Sequence, residues 1–282
     1  MITSFRRRTL IVPVILAAAA ILASVVSANH SWGGYHWART ANPFTLKLGD
    51  NLTTADWKSH LAQTSQDWNT NTTSYPTVLQ TAIVGGQAGK RCRMVAGTTQ
   101  VCNNTYGNNG WLGLATINIT GGTHITQGSA KMNDTYFNTP TYNNPNERLH
   151  VMCQEVAHTF GLDHQSTDGS SLNTCMDYFS NTGANAGSTA STKPNAHDFE
   201  ELSIIYQHLD SFTTIGAIAN AAASSDVTND PNSWGLLMSQ SQNGRSSTYE
   251  RGNSDGTKSV THVFWTAEAA ASCHSCDHRF ER

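Results

Sequence analysis

The stretch Gln154-Glu155-Val156-Ala157-His158-Thr159-Phe160-Gly161-Leu162-Asp163-His164 carries most of the chemical information in the chain. On a helix, side chains four apart stand one turn above the other on the same face, so Gln154 and His158 can converge on one ion. Glu155 projects beside them, placed to hold a water against that ion. Gly161 permits a sharp turn, and His164 then arrives from beyond the helix as a third ligand. A zinc ion with three protein ligands keeps a fourth position for water and lowers that water's pKa to about 7. Glu155 can act as general base and pass the proton to a leaving amine.

The flanking residues support a helix here. Asn144-Pro145-Asn146-Glu147 is a strong start, with an Asn cap, Pro at the first helical position and Glu three after the cap. Leu149, Met152, Val156 and Phe160 follow at spacings of three and four as one buried stripe. Gly161 suits the left-handed position that ends a helix. His150 cannot replace Gln154, because eight helical positions from His158 mean about 12 Å of rise. It is expected at the surface or behind the ligands.

The stretch resembles the metzincin signature His-Glu-x-x-His-x-x-Gly-x-x-His followed by a Met-turn. Glu155, His158, Gly161 and His164 match, and Gln154 stands where the signature has its first His. Cys175-Met176-Asp177-Tyr178 resembles the Met-turn, which places Met176 under the metal. Tyr178 matches the Tyr that in some metzincins binds zinc or stabilises the oxyanion. The arrangement resembles the matrixins, and Gln165, after the third ligand, departs from the residues usual at that position.

The resemblance implies an α+β catalytic domain over residues 29–212: a twisted, mostly parallel sheet with an edge strand, an active-site helix, a Met-turn and a closing helix. It implies a zinc endopeptidase with ligands Gln154, His158 and His164, general base Glu155 and oxyanion group Tyr178, acting on protein or peptide substrates. A Gln oxygen is a harder, neutral donor and holds zinc more weakly than imidazole. The competing class is a catalytically impaired, metzincin-like protein that uses the cleft only to bind.

Other segments fill in this layout. Phe44 to Leu48, Val78 to Val84, Ala115 to Ile119 and His124 to Met132 read as strands. Asp56 to Asn69 reads as a helix with Trp57, Leu61 and Trp68 on one side. A closing helix starts near Asn195 and carries Phe199, Leu202, Ile205 and Leu209 on one face. Residues 213–282 read as a linker and a small β-rich appendage, with a hairpin ending in Val263-Phe264-Trp265.

Residues 1–28 read as an export signal: Arg6 to Arg8, an apolar run from Leu10 to Val26, and a cleavage site after Ala28. Its removal takes three arginines and no acids, so the formal charge moves from −3 to −6. That balance argues against nucleic-acid binding. No second apolar span appears, so the expectation is a secreted monomer with no stable membrane association.

Six cysteines in an exported chain favour disulfides. Cys92 and Cys102 bracket a hairpin-like segment, and Cys153 and Cys175 flank the metal motif. Cys273 and Cys276 remain, in a Cys-His-Ser-Cys-Asp-His run that reads as a disulfide or tail rather than a metal site. Sequons at Asn51, Asn71, Asn103, Asn118 and Asn133 offer glycosylation positions. His124 approaches the cleft only if its strand is the substrate-binding edge, and otherwise is a surface residue. His197 is a capping-region residue or a support behind the site, and His36 has no assignable role. Neither a propeptide nor a Cys-containing inhibitory motif is evident ahead of the first strand, so the expectation is a protease not held latent by such a segment.

Overall fold

The computed structural model describes residues 30–166, 168–216 and 228–272. The signal reading and the Cys273–His278 run lie outside these residues. Among those described, no helix is long and apolar enough to cross a membrane.

The strands are β1 (His36–Trp37), β2 (Phe44–Asn51), β3 (Leu79–Gly85), β4 (Thr98–Asn104), β5 (Trp111–Thr120), β6 (His124–Asn133), β7 (Leu236–Gln240), β8 (Ser246–Gly252) and β9 (Lys258–Trp265). The helices are α1 (Ala55–Asn69), α2 (Asp134–Phe137), α3 (Pro145–His158), α4 (Ala196–Ile205) and α5 (Ala267–Ser272). The nine strands among the described residues form one sheet, in the order β3-β2-β4-β6-β5-β9-β8-β7, with β1 beside β6. The pairs among β1, β2, β3, β4 and β6 are parallel, and every pair involving β5, β7, β8 or β9 is antiparallel.

The structure departs from the sequence reading in several places, first in the sheet, whose strand pairs are half parallel and half antiparallel rather than mostly parallel. The C-terminal residues are β-rich as expected, but they extend the main sheet rather than forming a separate appendage, because β9 pairs with β5 from Trp111 to Ile119. The strand starting at His124 is interior, flanked by β4 and β5. Sheet position, not composition, decides these outcomes.

The segment between Cys92 and Cys102 is not a hairpin. Its second half is β4, a buried strand between β2 and β6. Its sequence Thr-Thr-Gln-Val-Cys-Asn-Asn lacks an apolar alternation, and hydrogen bonds replace it. Gln100 Oε1 accepts from Asn51 Nδ2 at 2.9 Å, Thr99 Oγ1 donates to Thr159 Oγ1 at 2.9 Å, and Asn103 Nδ2 donates to Asp134 and to Thr53 Oγ1. Asn103, Asn118 and Asn133 are buried, so a glycan at any of these three sequons is incompatible with this fold.

Helix α3 begins as its sequence indicates, with Asn144 Oδ1 accepting from Glu147 N at 2.9 Å. The Glu147 carboxylate does not close a capping box; it accepts from Asn181 N at 2.6 Å and ties the helix start to the segment after Tyr178. The helix packs against α1 on one side and against β5, β6 and β9 on the other. Its polar face is therefore buried as well, including His150, Gln154, Glu155 and His158. Cys153 and Cys175 are joined, as are Cys92 and Cys102, with S–S distances of 1.97 and 1.99 Å.

Gly161 ends this region with φ of +99°, and a Cβ there would fall 2.0 Å from the Tyr35 carbonyl oxygen. The left-handed backbone and the contact act together, so Gly161→Ala should destabilise the fold by about 2–5 kcal/mol. An unchanged urea unfolding midpoint would contradict this.

Helix α4 carries a full capping box between Asn195 and Asp198. It ends at Ile205, and Leu209, expected on its buried face, is 56% exposed beyond the helix. Asp198 is fully buried and also accepts from Thr174 Oγ1, just before Cys175; burial raises its pKa to about 7. A folded value above the unfolded 3.8 means the native state binds the proton more tightly. The stability from this group is therefore fully present below pH 4 and is lost as pH rises towards 7. Relative to Asp198→Asn, the parent chain should lose about 2–3 kcal/mol between pH 5 and pH 8. Parallel pH slopes of the two chains in urea unfolding would contradict the assignment.

Candidate metal centre

His158 is the last residue of α3, and its Nδ1–H donates to the Leu162 carbonyl at 2.8 Å. That bond leaves the lone pair on Nε2. The turn at Gly161 brings His164 back so that its Nε2 lies 3.1 Å from His158 Nε2. The other ring nitrogen of His164 lies 3.0 Å from Asp163 Oδ1. Burial pushes the His158 imidazole well below its ordinary value and lowers His164 too, so the neutral rings that a metal requires are favoured. Two nitrogens about 2.0–2.1 Å from one tetrahedral zinc are about 3.3 Å apart, close to the separation seen.

Gln154, one turn before His158, donates from Nε2 to the carbonyls of Cys175 and Asp177, both at 2.8 Å. These residues flank Met176, so the backbone on either side of it fixes the amide. Both amide hydrogens are used, and Oε1 is left as a buried acceptor with no protein partner. A buried oxygen without a donor is costly and is suited to a cation. His150 is buried rather than at the surface; its ring nitrogens meet Asp177 O and Asn181 Oδ1, both at 3.1 Å, and it steadies the same turn.

Glu155 is fully buried, and neither carboxylate oxygen has a hydrogen-bond partner. Burial pushes its carboxyl well above the usual range. Gly113 in β5 makes the space, since a Cβ there would lie 2.3 Å from Glu155 Oε1. The Tyr178 hydroxyl reaches the His164 imidazole at 2.7 Å, and burial pushes this phenol well above its ordinary value.

One ligand-type residue in this cluster escaped the sequence reading. His262, in β9 opposite Ala115, is buried with its ring centroid 3.8 Å from His158 and 4.3 Å from His164. Nitrogen atoms of His158, His164 and His262 all lie within 4.8 Å of one another. His262 Nε2 is 3.2 Å from the Tyr178 hydroxyl, and its Nδ1 is 3.6 Å from Glu155 Oε2. The available signal was alternation: Val260, His262 and Phe264 share one strand face, and Val260 and Phe264 belong to the main core.

The centre is closed on a second side. Trp32 stacks on His158 with centroids 4.9 Å apart and planes 3° from parallel. Trp32 N donates to Gly161 O at 2.9 Å, which pins this N-terminal segment over the motif. The other described histidines lie outside the cluster. His197 bonds Glu200 at 3.0 Å and packs against His30, while His124 pairs with Thr120 and bonds Asp210.

No protein-family profile matches the chain, and no curated protein matches it. Among solved structures, the "Structure of myroilysin" is similar, with a TM-score of 0.33 and 12% identity, over 61% of this chain and 96% of that chain. At that score the likeness carries no weight for the chemistry, which rests on the side chains above.

Proposed function

We propose that the chain is a secreted zinc-dependent endopeptidase that folds in a latent form, its own strand β9 lying where an extended substrate would lie. The observation that carries this reading is the position of His262. It sits between Glu155, the residue suited to activate water, and Tyr178, the residue suited to steady an oxyanion, against the two ligand histidines.

Nε2 of His158, Nε2 of His164 and Oε1 of Gln154 would hold the zinc, with His262 lying against the same two imidazoles in the latent form. Zinc supplies Lewis acidity towards a carbonyl and lowers the pKa of water to about 7. Glu155 would take the proton of the attacking water and deliver it to the leaving amine. Tyr178 donates to the developing oxyanion, where a pre-placed donor is most effective. An extended peptide can bind by adding a strand to a sheet edge, and β5 offers that edge once β9 moves aside.

A non-catalytic metal-binding protein is the second reading, and the complete burial of Glu155 favours it. Metal analysis of the purified chain with a casein assay separates the two. The peptidase reading expects one zinc bound at the His158–His164 pair, with slow, chelator-sensitive hydrolysis that increases when His262 is removed. Zinc at that pair without turnover in either chain supports the binding protein.

A further inference from the structure

Five residues along β5 from Ala115, about 16 Å of strand, Thr120 pairs with His124, where a second group of ligand-type side chains meets. His36 of β1 and His124 of β6 are register partners in a parallel ladder. His208 and Asp210 reach the same point from the segment that leaves α4. None of these residues takes part in the proposed reaction.

Ligand atoms of His36, His124 and Asp210 all lie within 4.8 Å of one another, and His208 reaches this trio through His36 and Asp210. His208 Nε2 lies 3.1 Å from His36 Nε2, and Asp210 Oδ1 lies 3.2 Å from His124 Nε2. The same Oδ1 is 3.7 Å from the Nε2 atoms of His36 and of His208. Ligands about 2.0–2.1 Å from a tetrahedral zinc stand about 3.3 Å apart, and the four distances bracket that value.

The surrounding bonds orient these atoms inward. His36 donates from Nδ1 to Gly34 O at 2.8 Å, which leaves its lone pair on Nε2. Asp210 Oδ2 is occupied by Arg39, through N at 3.1 Å and Nη1 at 3.0 Å, so Oδ1 is the oxygen facing the imidazoles. A second ring nitrogen held by a carbonyl and a carboxylate held by its other oxygen are what oriented metal ligands require. Arg39 Nη2 also donates to the carbonyls of Tyr206 and His208, which holds the ligand-bearing segment in place.

We infer that His36, His124, His208 and Asp210 form a second, four-ligand site for a zinc-class divalent ion that pins the segment after α4 to β1 and β6. Four protein ligands leave no open position, so the ion there is structural and not catalytic. Three neutral imidazoles with one carboxylate suit zinc and disfavour calcium or magnesium, which take oxygen donors.

The test uses the full chain with His158→Ala and His164→Ala, which removes the first centre and isolates the second. After chelator treatment and dialysis against micromolar zinc, this chain should retain one zinc and unfold at a higher temperature than its metal-free form. Adding His208→Ala, a change at a half-exposed side chain, should abolish both the bound zinc and the thermal shift. His124→Ala should do the same. Cobalt should give the absorption of a tetrahedral ion in the first chain and none in the other two. No bound zinc in the His158→Ala, His164→Ala chain, or zinc that persists through His208→Ala and His124→Ala, overturns the inference. The cluster would then be a histidine–aspartate hydrogen-bond network. Because the first centre is absent throughout, the outcome is independent of whether the chain is a peptidase.

Discussion

The His262→Ala chain should hydrolyse a small peptide ester at least about tenfold faster than the parent, because activity scales with the fraction of molecules whose site is open. In the parent, opening requires His262 to leave a fully buried position among His158, His164, Glu155 and Tyr178. Removing the imidazole vacates that space without touching His158, His164 or Gln154, so zinc should stay bound. The gain on casein should be smaller, because β9 remains paired with β5 along its length and still occupies the edge an extended chain would need. Loss of zinc together with loss of activity would make His262 a permanent third ligand standing in for Gln154, and the latent state would have to be abandoned.

The motif was legible because its geometry is local. Residues 154 and 158 share a helix face, Gly161 and His164 follow within one turn, and Asn144 and Pro145 start the helix where their chemistry says. The same holds for α1 and for the closing helix's cap at Asn195. His262 lies beyond that reach. Its role depends on β9 docking on β5, a contact between distant parts of the chain that no spacing rule encodes. Strand β4 was missed for a related reason, since its buried side chains are polar and are satisfied by Asn51, Thr53, Asp134 and Thr159 rather than by an apolar face. The reading of latency from the sequence concerns only residues ahead of the first strand, whereas β9, which carries His262 against Glu155 and His158, comes later in the chain.

Glu155→Gln, placed in the His262→Ala chain, should lower hydrolysis by about 10²–10⁴-fold, the range that a positioned general base contributes. Gln has nearly the shape of Glu, so the close fit against Gly113 is kept, and the zinc content set by the two histidines should not change. Stability should not fall either. The Glu155 carboxylate has no hydrogen-bond partner and is fully buried, a state in which a charged carboxylate is costly and from which a neutral amide removes the ionisable group. Loss of turnover with zinc and melting temperature retained therefore isolates the proton-transfer role from packing and from metal binding. If the substituted chain still turns over at the rate of its parent, the water is activated by another group, and Glu155 serves only to hold the His262 ring.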